Sequence, residues 1–273
     1  MTEESEDPFG VFKQGYSELS REQIRSDMNR RYETGNAYPN EAYWIHAHHT
    51  SLESTFVELV GNSANNADVL EIGCGSGGIA AHHLRSARSI LATDLSVSAL
   101  EIGREFFKED ARIIFEESPA EEIKRPDETF DVVISKEVIE HLIYPMDLLN
   151  AAYRLLRPGG ILIFSTPNKD SLHLRVNRLF GREDFMCAGD HIREFTYLEM
   201  QEMLVKAGFV EENAVGVTLL PYHYVDGVFP DVIRQAEDGD IAFNHMMQLL
   251  GRKVGPEFAF GYVIRCRKPV SSF

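Results

Sequence analysis

The chain has 273 residues, 44% of them apolar, with a formal net charge of −16 and three cysteines. That length and apolar content suit one folded domain with an elaboration, or two small ones, and exclude a disordered polymer. The acidic balance argues against a nucleic-acid partner, whose phosphates require a basic footprint.

Cys74, Cys187 and Cys266 are too isolated to form a paired metal motif or a disulfide framework. No apolar run reaches membrane-spanning length, and the start "MTEESEDPFG" lacks the features of a secretion signal. The expected setting is the reducing cytoplasm. Residues 1–20 read as an acidic flexible tail and residues 21–66 as an N-terminal helical cap. Within the cap, Leu52, Phe56 and Leu59 keep a helical spacing that would cover a sheet. Its aromatic segment, with Tyr38, Tyr43 and Trp44, reads either as hydrophobic packing or as a cover over a ligand. His46, His48 and His49 lie close together without an acid or cysteine partner, so surface or pocket-lining roles are expected of them.

From Asp68 the chain alternates. "DVLEIG", "SILATD", "ARIIFEES", "FDVVISK" and "ILIFSTPN" read as strands. Between them lie a helix through His82 and Leu84, and "SVSALEIGREFF", with Ala99, Ile102 and Phe106 on its inner face. "PMDLLNAAYRLLRPGG" is a further helix, ended by Pro158-Gly159, that turns Leu148, Leu149, Ala152, Leu155 and Leu156 inwards. This rhythm predicts a largely parallel sheet with right-handed crossovers. Residues 169–193 read as a long connection. "TYLEMQEMLVKAG" is a helix with Thr196 and Glu199 as its capping box and Gly208 as its stop. "FVEENAVGVTLL" and "PEFAFGYVIRCRKP" supply the last two strands, around a helical insertion at about 221–256 that contains "DIAFNHMMQLL".

"LEIGCGSGGIA", Leu70 to Ala80, runs from a strand into a glycine-rich turn and a helix. Gly73, Gly75 and Gly78 fit G-x-G-x-x-G, and Asp94 ends the second strand where it can accept hydrogen bonds from ribose hydroxyls. A dinucleotide and a sulfonium nucleoside are served alike by this spacing. A dehydrogenase and a group-transfer enzyme both remain open.

The segments "DVLEIGCGSG", "LATDLS", "FDVVISKEVIEHL", "LLRPGGILIFSTPN" and "HIREFTYLEMQEMLVKAGF", in that order, resemble the class I S-adenosylmethionine-dependent methyltransferases. Within that family the chain is similar to the quinone-ring and other small-molecule O-methyltransferases. The resemblance runs from Asp68 to Gly208 and, less specifically, to the final strand. It implies a doubly wound α/β fold over residues 67–273: a seven-stranded, mostly parallel Rossmann-like sheet with the last strand antiparallel. It also implies S-adenosyl-L-methionine as cofactor. The turn of Gly73, Cys74, Gly75 and Gly77 would border its amino-acid end, with Glu71 steadying that end. Asp94 would hold the ribose, Leu95 would pack against adenine, and Ser135 would line the cleft by its backbone. Relatives often place an acid near the adenine amino group, but here Ser118-Pro119 stands there, leaving Ala120 or Glu121 as substitutes.

In "KEVIEHL", a helical turn would put Glu137 on one face with Glu140 and His141, and His191 from "GDHIREF" could reach the same mouth. Two carboxylates and two imidazoles suit a divalent metal such as Mg²⁺. In the quinone-ring O-methyltransferases and the small-RNA 2'-O-methyltransferases, residues at these positions bind one. A direct role for His191 or His141 as base or orienter, with Glu137 beside them, and a purely structural role are the alternatives. Acceptor contacts are expected from the N-terminal segment (Tyr38, Tyr43, Trp44, His46, His49), the middle loop (Phe185, His191, Arg193) and the insertion (Tyr222, His223, Tyr224). The expected function is methyl transfer to a hydroxyl of a small biosynthetic intermediate, without nucleic acid or a membrane span, with a homodimer allowed. N- or C-methylation, protein methylation, and a catalytically silent cofactor-binding scaffold stay open.

Overall fold

The computed structural model describes residues 20, 22–23, 26, 29–30, 43–182, 186, 188, 190–219 and 240–270, without the side chains of 43–47 and 240–244. Helix α1 (Tyr43–Val60) precedes strand β1 (Asp68–Ile72), α2 (Ile79–His83), β2 (Ser89–Asp94), α3 (Val97–Phe106) and β3 (Ile113–Glu117). β4 (Phe130–Lys136) and a 3-10 turn (Ile139–His141) lead to α4 (Pro145–Leu155), β5 (Leu156–Pro167) and α5 (Leu172–Leu179). α6 (Tyr197–Ala207), β6 (Val210–Val217), α7 (Asp240–Val254) and β7 (Gly261–Arg267) complete the order. The strands form one seven-stranded sheet, β3-β2-β1-β4-β5-β7-β6. β1 to β5 pair in parallel, and β7 runs antiparallel to both β5 and β6, as expected. The strand order reverses between β1 and β4, which opens a crevice beyond their carboxyl ends.

Both faces of the sheet are covered, as a parallel sheet requires. The two-residue period of a strand sends Val69, Val132 and Ile163 to the face under Leu52, Phe56 and Leu59 of α1. Leu70, Val133 and Phe164 go to the other face, under Leu148 and Leu149 of α4 and Met200 of α6. Each such side chain, fully buried, contributes about 1.5–3 kcal/mol. The inward faces expected of α1 and α4 are therefore the observed ones, except that Leu156 is buried as the first residue of β5. The capping box of Thr196 and Glu199 starts α6, and Gly208, at φ 92°, ends it.

The inner face of α3 differs from expectation. Ala99, Leu100 and Gly103 are buried, while Ile102 and Phe106 are 49% and 70% exposed. A Cβ on Gly103 would lie 2.7 Å from the Phe115 ring, so α3 meets β3 through a glycine that hydropathy does not register. "RPGG" belongs to β5 rather than to the end of α4. Pro158 disfavours a helical Arg157, which forces the chain to extend from Leu156 onward. The connection 169–193 contains α5, whose buried residues His173, Leu174 and Asn177 are too polar to print an apolar period. α7 lies in the expected insertion and packs backbone to backbone on the end of β6. A Cβ on Gly251 would sit 2.5 Å from Thr218 N, and the Leu219 N–H donates to Met247 O at 2.9 Å. Among the described residues no helix is long and apolar enough to cross a membrane.

His48 is a core residue, contrary to its expected surface or pocket role. Its Nδ1 lies 3.2 Å from Thr218 Oγ1, and its ring packs edge-on to Phe260. His173 packs on the same ring from α5. Burial holds both neutral: the pKa of His48 falls to about 3, helped by His49 and Lys136, and that of His173 to about 4. An unfolded histidine protonates near pH 6.5. Below that pH the unfolded chain takes up protons that the folded one refuses, so this stability is full above pH 6.5 and lost as pH falls. Raised carboxyls such as Glu71 act in the opposite sense, which makes a difference measurement the clean test. The stability of wild type minus that of His48→Leu, from urea melts, is expected to fall by about 1 kcal/mol per pH unit between pH 6.5 and 5. A difference that stays constant would refute a neutral, buried His48.

Candidate active site

Glu71, near the end of β1, is almost fully buried and accepts the Ile79 N–H at 2.7 Å and the Ala80 N–H at 2.8 Å. These are orphan donors of the first turn of α2, and a carboxylate suits the positive end of a helix. Burial pushes the Glu71 pKa up to about 7 against the pull of those two N–H bonds and of Lys136. Glu71 thus steadies the glycine turn by seating α2 on β1. Gly78 lies beneath it at φ 38°, where a Cβ would fall 2.2 Å from Glu71 Oε1. The third glycine of the pattern therefore makes room for the carboxylate. Gly73, at φ 71°, lies against the turn after β4: a Cβ there would be 2.3 Å from Val138 Cγ2. Cys74 and Gly77 complete the turn, Cys74 buried and Gly77 lying close to Phe107.

Asp94, at the end of β2, accepts the Gly75 N–H at 2.7 Å and the Ser96 N–H at 2.8 Å. Burial raises its pKa and these bonds oppose the rise. A carboxylate oxygen accepts more than one hydrogen bond, so ribose hydroxyls can join without displacing either N–H. Leu95, Ala120 and Glu121 are half-buried nearby in sequence or sheet order, and the Ser118 N–H ties the loop after β3 to Asp94 O at 3.0 Å. Ser135, in register with Ile72, has a buried hydroxyl with no hydrogen-bond partner among the described residues, which costs about 1–3 kcal/mol.

Past β4 the chain turns sharply at Glu137, which takes φ 52°, a strained value for a residue with a side chain. The Ser165 hydroxyl holds it there, accepting its N–H at 3.2 Å and donating to Oε1 at 2.6 Å. Glu137 consequently does not share a helical face with Glu140 and His141. Glu140 is fully buried; Thr166 donates to its Oε2 at 3.0 Å, and its Oε1 has no hydrogen-bond partner among the described residues. The Glu140 carbonyl accepts the N–H groups of Ile192 and Arg193, which draws the His191 loop onto this turn. One ligating atom each from Glu140, His141 and His191 lies within 4.8 Å of the others, and Glu137 stands outside that group.

The second partners fix the tautomers. His141 Nδ1 lies 3.1 Å from the Asp190 carbonyl, which can only accept, so Nδ1 carries the proton. His191 Nδ1 lies 2.8 Å from Glu194 Oε1 and donates likewise. His141 therefore offers Nε2 as a ligating or proton-accepting nitrogen, and His191 can offer its Nε2 only after giving up a proton. Burial works against a charged His191, but Glu194, Glu140 and Asp190 outweigh it and raise its pKa to about 9. Burial, reinforced by Glu137, drives Glu140 well above the usual carboxylate range.

Arg193 pairs with Glu199 Oε1 at 3.1 Å and lies over the Phe195 ring. Tyr43, Trp44 and His46 fall on the first turn of α1 by backbone, and His49 is half-buried. Tyr38, Phe185, Tyr222, His223 and Tyr224 lie outside the described residues. Sequence reasoning missed Ser165, Thr166 and Glu194. The first two stand as polar residues ending an apolar strand, and Glu194 follows His191 at a spacing of three.

A crevice at a sheet reversal, a glycine turn and a ribose-type acid define a nucleoside-binding α/β domain. The family model described as "Methyltransferase domain" matches residues 43–212. A probable S-adenosylmethionine-dependent methyltransferase of Mycolicibacterium smegmatis is 33% identical over 177 residues, 65% of this chain and 63% of that protein. A ubiquinone biosynthesis O-methyltransferase of Dinoroseobacter shibae is 34% identical over 159 residues, 56% of this chain and 64% of that one. The solved structure of an S-adenosylmethionine-dependent methyltransferase from Mesorhizobium loti shares the fold, with TM-score 0.55 and 17% identity over 79% of this chain and 97% of that chain. The chain belongs to the class I S-adenosylmethionine-dependent methyltransferases. It spans less than two thirds of the length of these curated relatives.

Gly78→Ala is expected to lower stability by about 2–4 kcal/mol in urea melts, through strain and collision with Glu71. It should also abolish S-adenosylhomocysteine binding in calorimetry. Wild-type stability in this variant would mean that Glu71 is not seated on α2.

Proposed function

We propose that the chain transfers a methyl group from S-adenosylmethionine to a hydroxyl oxygen of a small biosynthetic intermediate. The observation that supports this most is the buried Glu140 side chain, whose Oε1 has no hydrogen bond among the described residues, grouped with the imidazoles of His141 and His191. The cofactor, when bound, supplies an electrophilic methyl group on a sulfonium sulfur. Asp94 accepts from its ribose, the turn at Gly73–Gly75 borders its amino-acid end, and Ser135 Oγ offers a further polar contact. Alignment of acceptor oxygen and methyl carbon then supplies much of the rate.

Glu140, His141 and His191 would hold a divalent cation, which would orient the acceptor oxygen and favour its ionised form. One carboxylate and two imidazoles suit a borderline ion such as Mn²⁺, Fe²⁺ or Zn²⁺ better than the expected Mg²⁺. Glu194 would then act as the outer partner that aims His191. A second reading rests on the fixed tautomer of His141: its Nε2 takes the hydroxyl proton directly, with cationic His191 holding the acceptor. Arg193, paired with Glu199, supports neither reading.

Methylation of a panel of phenolic, aliphatic and amine acceptors, before and after chelator dialysis, separates the two. Under the metal reading, dialysis and Glu140→Gln each cut hydroxyl methylation by about 10²-fold or more, and adding back Mn²⁺ or Zn²⁺ restores the dialysed wild type. Full activity after dialysis, with a comparable loss in His141→Gln, assigns the base instead. Faster turnover of amines that neither variant impairs would sink hydroxyl transfer through this cluster.

A further inference from the structure

Asn29 is distant in sequence from the turn after β2 and touches it in space. Ser20 and Gln23 cap each other, with the Ser20 N–H donating to Gln23 Oε1 at 2.8 Å and the Gln23 N–H to Ser20 Oγ at 3.3 Å. This reciprocal pair is a helix-start signature, and residues 22, 23, 26, 29 and 30 have helical backbone. Further along, Asn29 Oδ1 accepts the Ser96 O–H at 3.0 Å and the Ser98 N–H at 3.3 Å. Ser96 is the residue that holds Asp94. Its N–H donates to Asp94 Oδ1, and its hydroxyl accepts the Ala99 N–H at 3.2 Å to cap α3. The other Asp94 oxygen holds the glycine turn at Gly75. A continuous run of hydrogen bonds therefore links Asn29, Ser96, Asp94 and Gly75.

We propose that Asn29 is a positioning residue for the cofactor: its side-chain oxygen fixes the Ser96 turn, and through it the Asp94 carboxylate that receives the ribose. An amide oxygen suits the task because it accepts two hydrogen bonds without setting a charge beside Asp94. Without it, the Ser96 hydroxyl and Ser98 N–H turn to water and Asp94 must be ordered at the moment of binding, which weakens affinity. By the same linkage, cofactor binding holds the N-terminal helical residues in place. This inference rests on the cofactor reading given above.

The test uses the full chain and S-adenosylhomocysteine as probe, read by calorimetry. Asn29→Ala is expected to raise Kd about tenfold, with the unliganded melting temperature within about 2 °C of wild type. Asn29→Asp keeps the acceptor oxygens but sets a charge beside Asp94, and should recover part of the loss, binding more tightly than Asn29→Ala. In turnover, the alanine variant should raise KM for S-adenosylmethionine at unchanged kcat. Wild-type affinity in Asn29→Ala overturns the proposal, and equally weak binding by both variants overturns the acceptor role. A lower melting temperature at unchanged affinity reduces Asn29 to a structural part. If wild type itself binds no S-adenosylhomocysteine, the cofactor reading falls first and takes this inference with it.

Discussion

Glu71 lies buried beneath the first turn of α2 with both carboxylate oxygens occupied, and the ligand crevice is shaped around that contact. It sets the distance between β1 and α2, demands a glycine at position 78 and fixes where the turn from Gly73 to Gly77 emerges. It also decides what can bind. A dinucleotide site needs the helix N-terminus open for a pyrophosphate. Here an acid already fills that position, and a second anion would be repelled. S-adenosylmethionine carries one carboxylate, balanced by its amino group and its cationic sulfur, so it meets a smaller penalty than a pyrophosphate does.

The opposite wall is built from the ends of β4 and β5. Ser165 and Thr166 each hold one of the two acids, and this separates their roles: Glu137 is held against the end of β5, while Glu140 faces the imidazoles. The His191 loop is attached through the backbone carbonyl of Glu140, so the residue that contributes the carboxylate also positions the second imidazole. Burying so many titratable groups together is costly unless they neutralise one another or a cation joins them. The pairing of His191 with Glu194 and the raised pKa of Glu140 show the first device at work.

Much of the frame was legible because its signals are local or periodic. Thr196 and Glu199 stand at capping-box spacing, and Leu148, Leu149, Ala152 and Leu155 keep a helical stripe. The order of the strands followed from their alternation with helices. What hydropathy could not show were contacts made through small or polar residues: Gly103 against Phe115, the half-polar buried face of α5, and His48 in the core. The glycine turn and Asp94 were visible because the segment that carries the turn is short and continuous. The cluster at Glu140 was visible in composition but not in geometry, since a positive φ at Glu137 and a 3-10 turn replaced the expected helix. Asn29 carried no signal, because its partners lie more than sixty residues away.

The close seating of Gly251 on Thr218 has an evolutionary side. It fixes the chain at two points, where it leaves β6 at Thr218 and in α7 at Gly251, and so sets the two ends of the segment that joins them. Doubling the length of such a segment adds only about 0.6 kcal/mol of closure entropy. Insertions and deletions between these two points therefore cost little to acquire, while the strands and the glycine turn stay as they are.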